Sequence, residues 1–200
     1  MSLPVVPAPY PRRDSALLRA LGRLMLRLMG WRIEGGVPPV PRFVAIVAPH
    51  TSNWDFIVGV AVMFALDLRI NWFGKDTLFR GPAGGLLRRL GGRPVKRHMR
   101  EGTVAQAVLA MRAEPRFILA LSPEGTRKPV TRWRTGFYRI AEGAEVPILP
   151  VWFDWSRRVA GLGTPMRPTG DMDGDILRLQ AHYEPSMARF PERFVTGRRP

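Results

Sequence analysis

The stretch that decides the fold is FVAIVAPHTSNWD, residues 43–55, in which an apolar run ends at a polar turn with a histidine and an aspartate. An apolar run of this length before a proline is typical of a strand buried in an α/β sheet. A helix that begins near Ser52 or Asn53 would bring Asp55, in its first turn, close to His50. The pair would then be a general base and the carboxylate that fixes its tautomer. The alternative is that Ser52 or Asn53 only caps the helix and that His50 is an ordinary loop residue.

A second polar turn, Ser122–Arg127, follows another apolar run, Phe117–Leu121. Sites in open α/β sheets are built at the carboxyl ends of strands, so we expect both turns at one edge of the sheet. Its acid, glycine, hydroxyl and arginine can hydrogen-bond a polyol and pair with a phosphate: Glu124, Gly125, Thr126 and Arg127. Alone, these four residues could also be an ordinary polar turn.

Together, in this order, the two segments resemble the glycerophospholipid acyltransferase family, whose best-known members convert lysophosphatidic acid to phosphatidic acid. Residues 74–82 and 90–97 are similar to the family's second block, which ends in a substrate-binding arginine, here Arg97. Residues 146–151 are similar to the proline-containing fourth block, which is associated with the acyl site. The four blocks cover roughly residues 43–153.

The resemblance implies an α/β fold in a single domain, with a central mixed β-sheet flanked by helices as in glycerol-3-phosphate acyltransferase. It implies an O-acyltransferase that moves an acyl group from acyl-CoA or acyl carrier protein to a lysophospholipid, with 1-acyl-sn-glycerol 3-phosphate as the first candidate. His50 and Asp55 would act as the general base pair, without an acyl-enzyme. The resemblance gives substrate binding to five residues: Arg97, Glu124, Gly125, Thr126 and Arg127. No metal is expected, and no cofactor beyond the acyl-CoA or acyl carrier protein co-substrate.

Composition limits the alternatives. The 200 residues contain 31 lysines and arginines against 16 acidic residues, a formal charge of +15, which suits an anionic partner. The absence of cysteine excludes thiol nucleophiles, thiolate metal sites and disulfides. Two alternatives stay open: the acceptor could be another lysophospholipid, glycerol 3-phosphate, an ornithine lipid or a glycolipid, or the chain could be a basic module that binds nucleic acid or membrane. We expect no nucleic-acid partner.

We expect one acyltransferase domain over residues 37–200, preceded by residues 1–36 as an extended tail (Met1–Arg13) and an amphipathic helix (Ser15–Met29). The helix has a broad apolar face with arginines beside it: Leu17, Leu18, Leu21, Leu24, Met25 and Leu28, then Arg19, Arg23 and Arg27. Three arginines make a spanning helix costly, so the pattern predicts a helix on an anionic membrane surface, with Trp31 as an interfacial anchor. The expected location is peripheral, on the cytoplasmic face of the inner membrane. The alternative is an ordinary helix whose apolar face packs on the domain.

Helical and strand patterns alternate along the rest of the chain, which favours an α/β sheet. Beyond the two runs already quoted, the predicted strands cover residues 70–73, 93–96 and 148–153, with a hairpin partner over 157–162. The predicted helices cover residues 83–90, 104–112, 136–142 and 176–183.

Overall fold

A computed structural model describes residue 4, residues 10–95 and residues 100–194. Within these ranges, seven strands form one sheet: β1 (Arg32–Gly35), β2 (Arg42–Val47), β3 (Ile70–Lys75), β4 (Gly92–Val95), β5 (Phe117–Leu121), β6 (Ile148–Asp154) and β7 (Val159–Leu162). The same ranges contain six α-helices: α1 (Ala16–Leu28), α2 (Trp54–Ala65), α3 (Gly84–Arg89), α4 (Arg100–Ala113), α5 (Gly136–Gly143) and α6 (Met172–Gln180). The predicted alternation of helices and strands is confirmed.

The sheet has the strand order β1-β7-β6-β2-β5-β3-β4. Neighbouring strands are parallel except β6 and β7, which form the predicted antiparallel pair. The expected α/β domain with a central mixed sheet is therefore confirmed. Strand β2 lies between β5 and β6, and Ile46 of β2 is in register with Leu121 of β5. The loops that follow β2 and β5 consequently leave the same edge of the sheet side by side.

The side chains of the central strand alternate between two apolar layers, one on each face of the sheet. Phe43 and Ala45 of β2 pack with buried residues of α1 and α2. Val44 and Ile46 pack in the opposite layer with buried residues of α4, α5 and α6. Because helices cover both faces, the strand is a continuous apolar run rather than an alternating one.

Helix α1 crosses α2 at a glycine. A Cβ atom at Gly22 would lie 2.4 Å from the backbone nitrogen of Ala65, so the close approach of the two helices requires glycine. The predicted helix is confirmed, and the Ser15 side chain caps its first turn by accepting a hydrogen bond from the Leu18 N–H. No helix in the described part of the chain is long and apolar enough to cross a membrane.

Two expectations for the N-terminal residues are wrong. Trp31 is not an interfacial anchor, because it is buried and packs edge-on against Phe153 and Trp155, with ring centroids 6.3 and 5.0 Å away. The extended tail does not reach Arg13, because the buried Tyr10 ring packs edge-on against Phe43, 6.4 Å away. The chain is therefore attached to the domain from Tyr10 onward.

Two elements differ from the sequence-based expectation. Strand β1 is not predicted, yet it pairs in parallel with β7, with Ile33 beside Ala160. It lies before the expected division at residue 36, and that division stays a prediction. Helix α6 begins at Met172 rather than at residue 176, because the Asp171 side chain caps it by accepting from the Gly174 N–H at 3.0 Å.

Candidate active site

The histidine and aspartate of the loop after β2 lie next to each other. His50 Nδ1 is 3.3 Å from Asp55 Oδ2. The His50 side chain is 27% exposed, whereas that of Asp55 is 1% exposed. Because Nδ1 faces the carboxylate, the Nε2 nitrogen is the one left to receive a proton from a substrate hydroxyl. This is the arrangement that a general base and its orienting carboxylate require.

Three N–H groups hold the Asp55 carboxylate in place. The backbone N–H groups of Thr51 and Ser52 donate to Oδ2 at 3.0 and 2.8 Å. The indole N–H of Trp155 donates to Oδ1 at 2.8 Å. These donors complement a negatively charged group, and they fix both carboxylate oxygens relative to the imidazole. Asp55 therefore lies in the first turn of α2 and also contacts His50 and Trp155.

Glu124 joins the two loops. Its Oε2 atom accepts a hydrogen bond from the backbone N–H of His50 at 2.9 Å. Its Oε1 atom is buried and has no hydrogen-bond partner among the described residues. Burial raises the pKa of Glu124 to about 7, with a further increase from the nearby Asp55 charge, against the opposing effects of His50. The carboxyl group thus changes charge near neutral pH, in hydrogen-bond contact with the His50 backbone.

Gly125 adopts a conformation that favours glycine. Its φ angle is 64°, in the left-handed region, and its N–H donates to the Ser122 carbonyl at 3.1 Å. A Cβ atom at Gly125 would lie 2.6 Å from Nε of Arg134. The glycine therefore allows the Arg134 side chain to cross closely over the loop.

The remaining predicted substrate-binding residues have different positions. Thr126 is half-buried, and its Oγ1 atom accepts from the Lys128 N–H at 3.3 Å. Arg127 is exposed and lines a surface cavity of about 260 Å³ beside the N-terminus of α2. Arg97 lies outside the described residues. The structure therefore brings together His50, Asp55 and the 122–127 loop.

Two parts of the site are not among the residues predicted from the sequence. One is Trp155, which follows β6 and reaches Asp55 because β6 and β2 are parallel neighbours. The carboxyl-end rule that located the other loops could have found it. The other is the segment Tyr183–Phe194, here called the C-terminal strap. Its Phe190 N–H donates to Thr51 Oγ1 at 3.3 Å, next to His50, and no periodic pattern in its sequence indicates this contact.

The site residues predicted from the sequence lie in a segment that known proteins share. A sequence model described as Acyltransferase matches residues 38–154, more than half of the chain. The chain belongs to the acyltransferase family. The matched segment of this acyltransferase contains His50, Asp55 and the 122–127 loop, and it ends before Trp155 and the C-terminal strap. No curated protein sequence matches the chain.

The fold of this acyltransferase is similar to that of a solved structure, the 1-acyl-sn-glycerophosphate (LPA) acyltransferase PlsC from Thermotoga maritima. The TM-score is 0.55 at 20% sequence identity, and the alignment covers 81% of this chain and 72% of the PlsC chain. At this level of identity, the similarity establishes a shared fold.

Proposed function

We propose that this acyltransferase moves a fatty acyl group from acyl-CoA or acyl carrier protein to the free hydroxyl of 1-acyl-sn-glycerol 3-phosphate. The product would be phosphatidic acid, an intermediate of phospholipid biosynthesis. The observation that carries the proposal is the 3.3 Å approach of His50 to a carboxylate that three N–H groups hold in place. The choice of acceptor is supported by PlsC, a 1-acyl-sn-glycerophosphate acyltransferase whose fold is similar.

His50 Nε2 takes the proton from the acceptor hydroxyl as its oxygen attacks the thioester carbonyl carbon. Asp55 stabilises the imidazolium that forms. When the tetrahedral intermediate collapses, the carbon–sulfur bond breaks, and the leaving thiolate receives the proton from the imidazolium. The acyl group passes directly from sulfur to oxygen, so no acyl-enzyme forms.

Acceptor binding is assigned to the loop after β5 and to Arg97. Arg127 and Arg97 pair with the phosphate, since a guanidinium can donate two parallel hydrogen bonds to phosphate oxygens. Glu124 orients a hydroxyl group near the base through Oε1, the oxygen that has no partner among the described residues. Thr126 is a supporting donor, and Gly125 permits the loop to approach the substrate.

The exposed side of α1 supports contact with a membrane surface. The sequence assigns Leu18 and Met25 to one broad apolar face, but both pack against the core, and a second row of leucines stays exposed. The exposed row is Leu17, Leu21, Leu24 and Leu28, which lie on one side of the helix at spacings of three and four residues. Leu17 and Leu28 are each 77% exposed, and Arg23 and Arg27 are exposed beside the row. Such a surface fits the apolar–anionic boundary of a bilayer, peripherally on the cytoplasmic face of the inner membrane.

The test is thiol release from palmitoyl-CoA with 1-oleoyl-lysophosphatidic acid in mixed micelles, with the lipid product identified by mass spectrometry. We expect His50→Ala to lower kcat by about 10²–10⁴-fold, because that is the typical contribution of a general base. The matched control is His182→Ala, since His182 is exposed and stacks on Trp152. Full activity of His50→Ala would contradict the mechanism.

The same assay separates the acceptors. One acyl donor is offered with lysophosphatidic acid, other lysophospholipids, glycerol 3-phosphate, an ornithine lipid and a glycolipid in turn. Acyl carrier protein loaded with palmitate then replaces palmitoyl-CoA. If turnover depends on His50 but occurs with a different acceptor, the proposed acyl transfer stands and the proposed acceptor is replaced by that compound.

A further inference from the structure

We propose that Arg193, on the C-terminal strap, acts with Arg127 as a two-arginine site for a phosphate monoester. The inference deepens the proposed function and rests on it, because the phosphate belongs to a substrate of acyl transfer. Two substrates carry such a group: the glycerol phosphate headgroup of the acceptor, and coenzyme A through its 3′-phosphate. Arg193 lies outside the matched family segment, which ends at residue 154.

Both arginines line the same surface cavity. Its described walls come from the loop after β2, the first residue of α2, the loop after β5 and the strap: Thr51, Ser52, Asn53, Trp54, Arg127, Phe190 and Arg193. Among these residues there is no carboxylate. The cavity measures about 260 Å³. Pockets for drug-sized ligands measure about 300–1,000 Å³, so this smaller cavity fits a headgroup rather than a whole lipid.

The strap holds Arg193 at this position through contacts with the loop that contains the base. The Phe190 N–H donates to Thr51 Oγ1 at 3.3 Å, and Thr51 directly follows His50. The Arg193 guanidinium lies over the Phe190 ring, 4.4 Å from its centroid. Its Nη1 is 3.5 Å from the Thr51 carbonyl oxygen, and its Nε is 3.7 Å from the exposed carboxylate of Glu192.

Charge favours a doubly negative ligand in this cavity. Two guanidinium groups carry two positive charges and present planar forks that match phosphate oxygens. No described carboxylate forms an ion pair with Arg127, and the carboxylate nearest Arg193 is on the solvent-exposed Glu192. A phosphate monoester, with a charge close to −2 at neutral pH, balances this arrangement.

The experiment compares wild type with Arg193→Gln, Arg193→Lys and a control, Arg116→Gln. Arg116 is exposed and precedes β5, so it lies at the opposite edge of the sheet from the cavity. Its substitution by glutamine removes the same charge as Arg193→Gln does. KM and kcat are measured for 1-oleoyl-lysophosphatidic acid and for palmitoyl-CoA. Two further substrates are measured alongside: monoacylglycerol, which lacks the headgroup phosphate, and palmitoyl-3′-dephospho-coenzyme A, which lacks the 3′-phosphate.

If the site binds the acceptor, Arg193→Gln raises the KM for lysophosphatidic acid about tenfold, the effect of losing one charge-assisted contact. The KM values for monoacylglycerol and palmitoyl-CoA then change less than twofold. If the site binds the donor, only the KM for palmitoyl-CoA rises, and that for the dephospho donor does not. Arg193→Lys recovers part of the loss, since it restores the charge but not the fork. Unchanged KM values for both phosphorylated substrates in Arg193→Gln, or equal effects in Arg116→Gln, would overturn the proposal.

Direct binding separates this inference from the proposed function. Calorimetric titrations with sn-glycerol 3-phosphate and with coenzyme A require no turnover, so they give an answer even if wild type transfers no acyl group to any acceptor tested. We expect Arg193→Gln to bind one of these two ligands more weakly than wild type or Arg116→Gln does, and equal binding of both ligands by all three proteins would contradict the two-arginine site. Because the Arg193 side chain is half exposed, Arg193→Gln should unfold at the wild-type temperature.

Discussion

Replacing Glu124 by glutamine should remove a pH dependence from the stability of the fold. In the native protein, burial raises the pKa of this carboxyl group from 4.5 to about 7. The folded state therefore retains the proton over a range of pH in which the unfolded chain has already released it. As the pH rises from about 4.5 to about 7, ionisation stabilises only the unfolded state, and the free energy of unfolding falls.

The magnitude follows from the two pKa values. With 4.5 for the unfolded chain and about 7 for the folded protein, this group should lower the free energy of unfolding by about 2.5 kcal/mol between about pH 5 and about pH 8. Glutamine has the same shape and no charge. Its carbonyl oxygen can accept from the His50 N–H, which Glu124 Oε2 does at 2.9 Å. Glu124→Gln should accordingly lack this loss of stability at higher pH.

The assay is urea denaturation of wild type and Glu124→Gln at about pH 5, 6, 7 and 8, followed by circular dichroism. The difference between the two proteins isolates Glu124, since other titrating groups are common to both. We expect Glu124→Gln to gain stability relative to wild type as the pH rises. Parallel curves, or a difference that grows toward low pH, would refute the assignment of a raised pKa to this residue.

Three further substitutions test contacts described above. Trp155→Phe removes the indole N–H that donates to Asp55. Because hydrogen bonds to charged groups contribute about 1.5–3 kcal/mol, kcat should fall about tenfold or more in steady-state assays. Gly125→Ala places a Cβ atom in the left-handed region, 2.6 Å from Arg134 Nε, and should destabilise the fold by about 1–2 kcal/mol in urea denaturation. Gly22→Ala should lower the melting temperature although alanine favours helices, because its Cβ atom would meet backbone of α2 at 2.4 Å.

Each of these predictions has an outcome that would contradict it. Unchanged kcat in Trp155→Phe would show that the two backbone donors suffice to hold Asp55. Wild-type stability of Gly125→Ala would show that the loop can rearrange around Arg134. For Gly22→Ala, the control is Gly36→Ala, where a Cβ atom meets nothing within 4 Å. An equal change in both glycine variants would remove the argument for a close helix crossing.

Much of the site could be predicted because its chemistry follows strands. The apolar runs before His50 and before Ser122 each predict a buried strand, and parallel neighbours place their following loops at one edge. A base and a carboxylate five positions apart can meet across the start of a helix, as His50 and Asp55 do. These inferences depend on local sequence and on one rule about sheets.

Other parts depend on packing between distant residues. The wide apolar face of α1 does not indicate which of its residues will pack against the domain. Gly22 decides this, because it permits the close contact with α2. The residues that flank Trp31 do not indicate whether its side chain faces lipid or the core, and in the structure it is buried. Strand β1 is short and lies at the sheet edge, so its pattern is weak. Arg193 reaches the site through turns, which have no periodicity to detect.

The hydrogen bond from Trp155 to Asp55 has a practical consequence for how this protein is divided for expression. A fragment cut where the family match ends, at residue 154, would contain every matched motif residue. It would lose the indole that holds the aspartate and the strap that contacts Thr51. Such a fragment would retain every residue that the family model matches, whereas the Asp55 carboxylate would lose one of its three N–H donors.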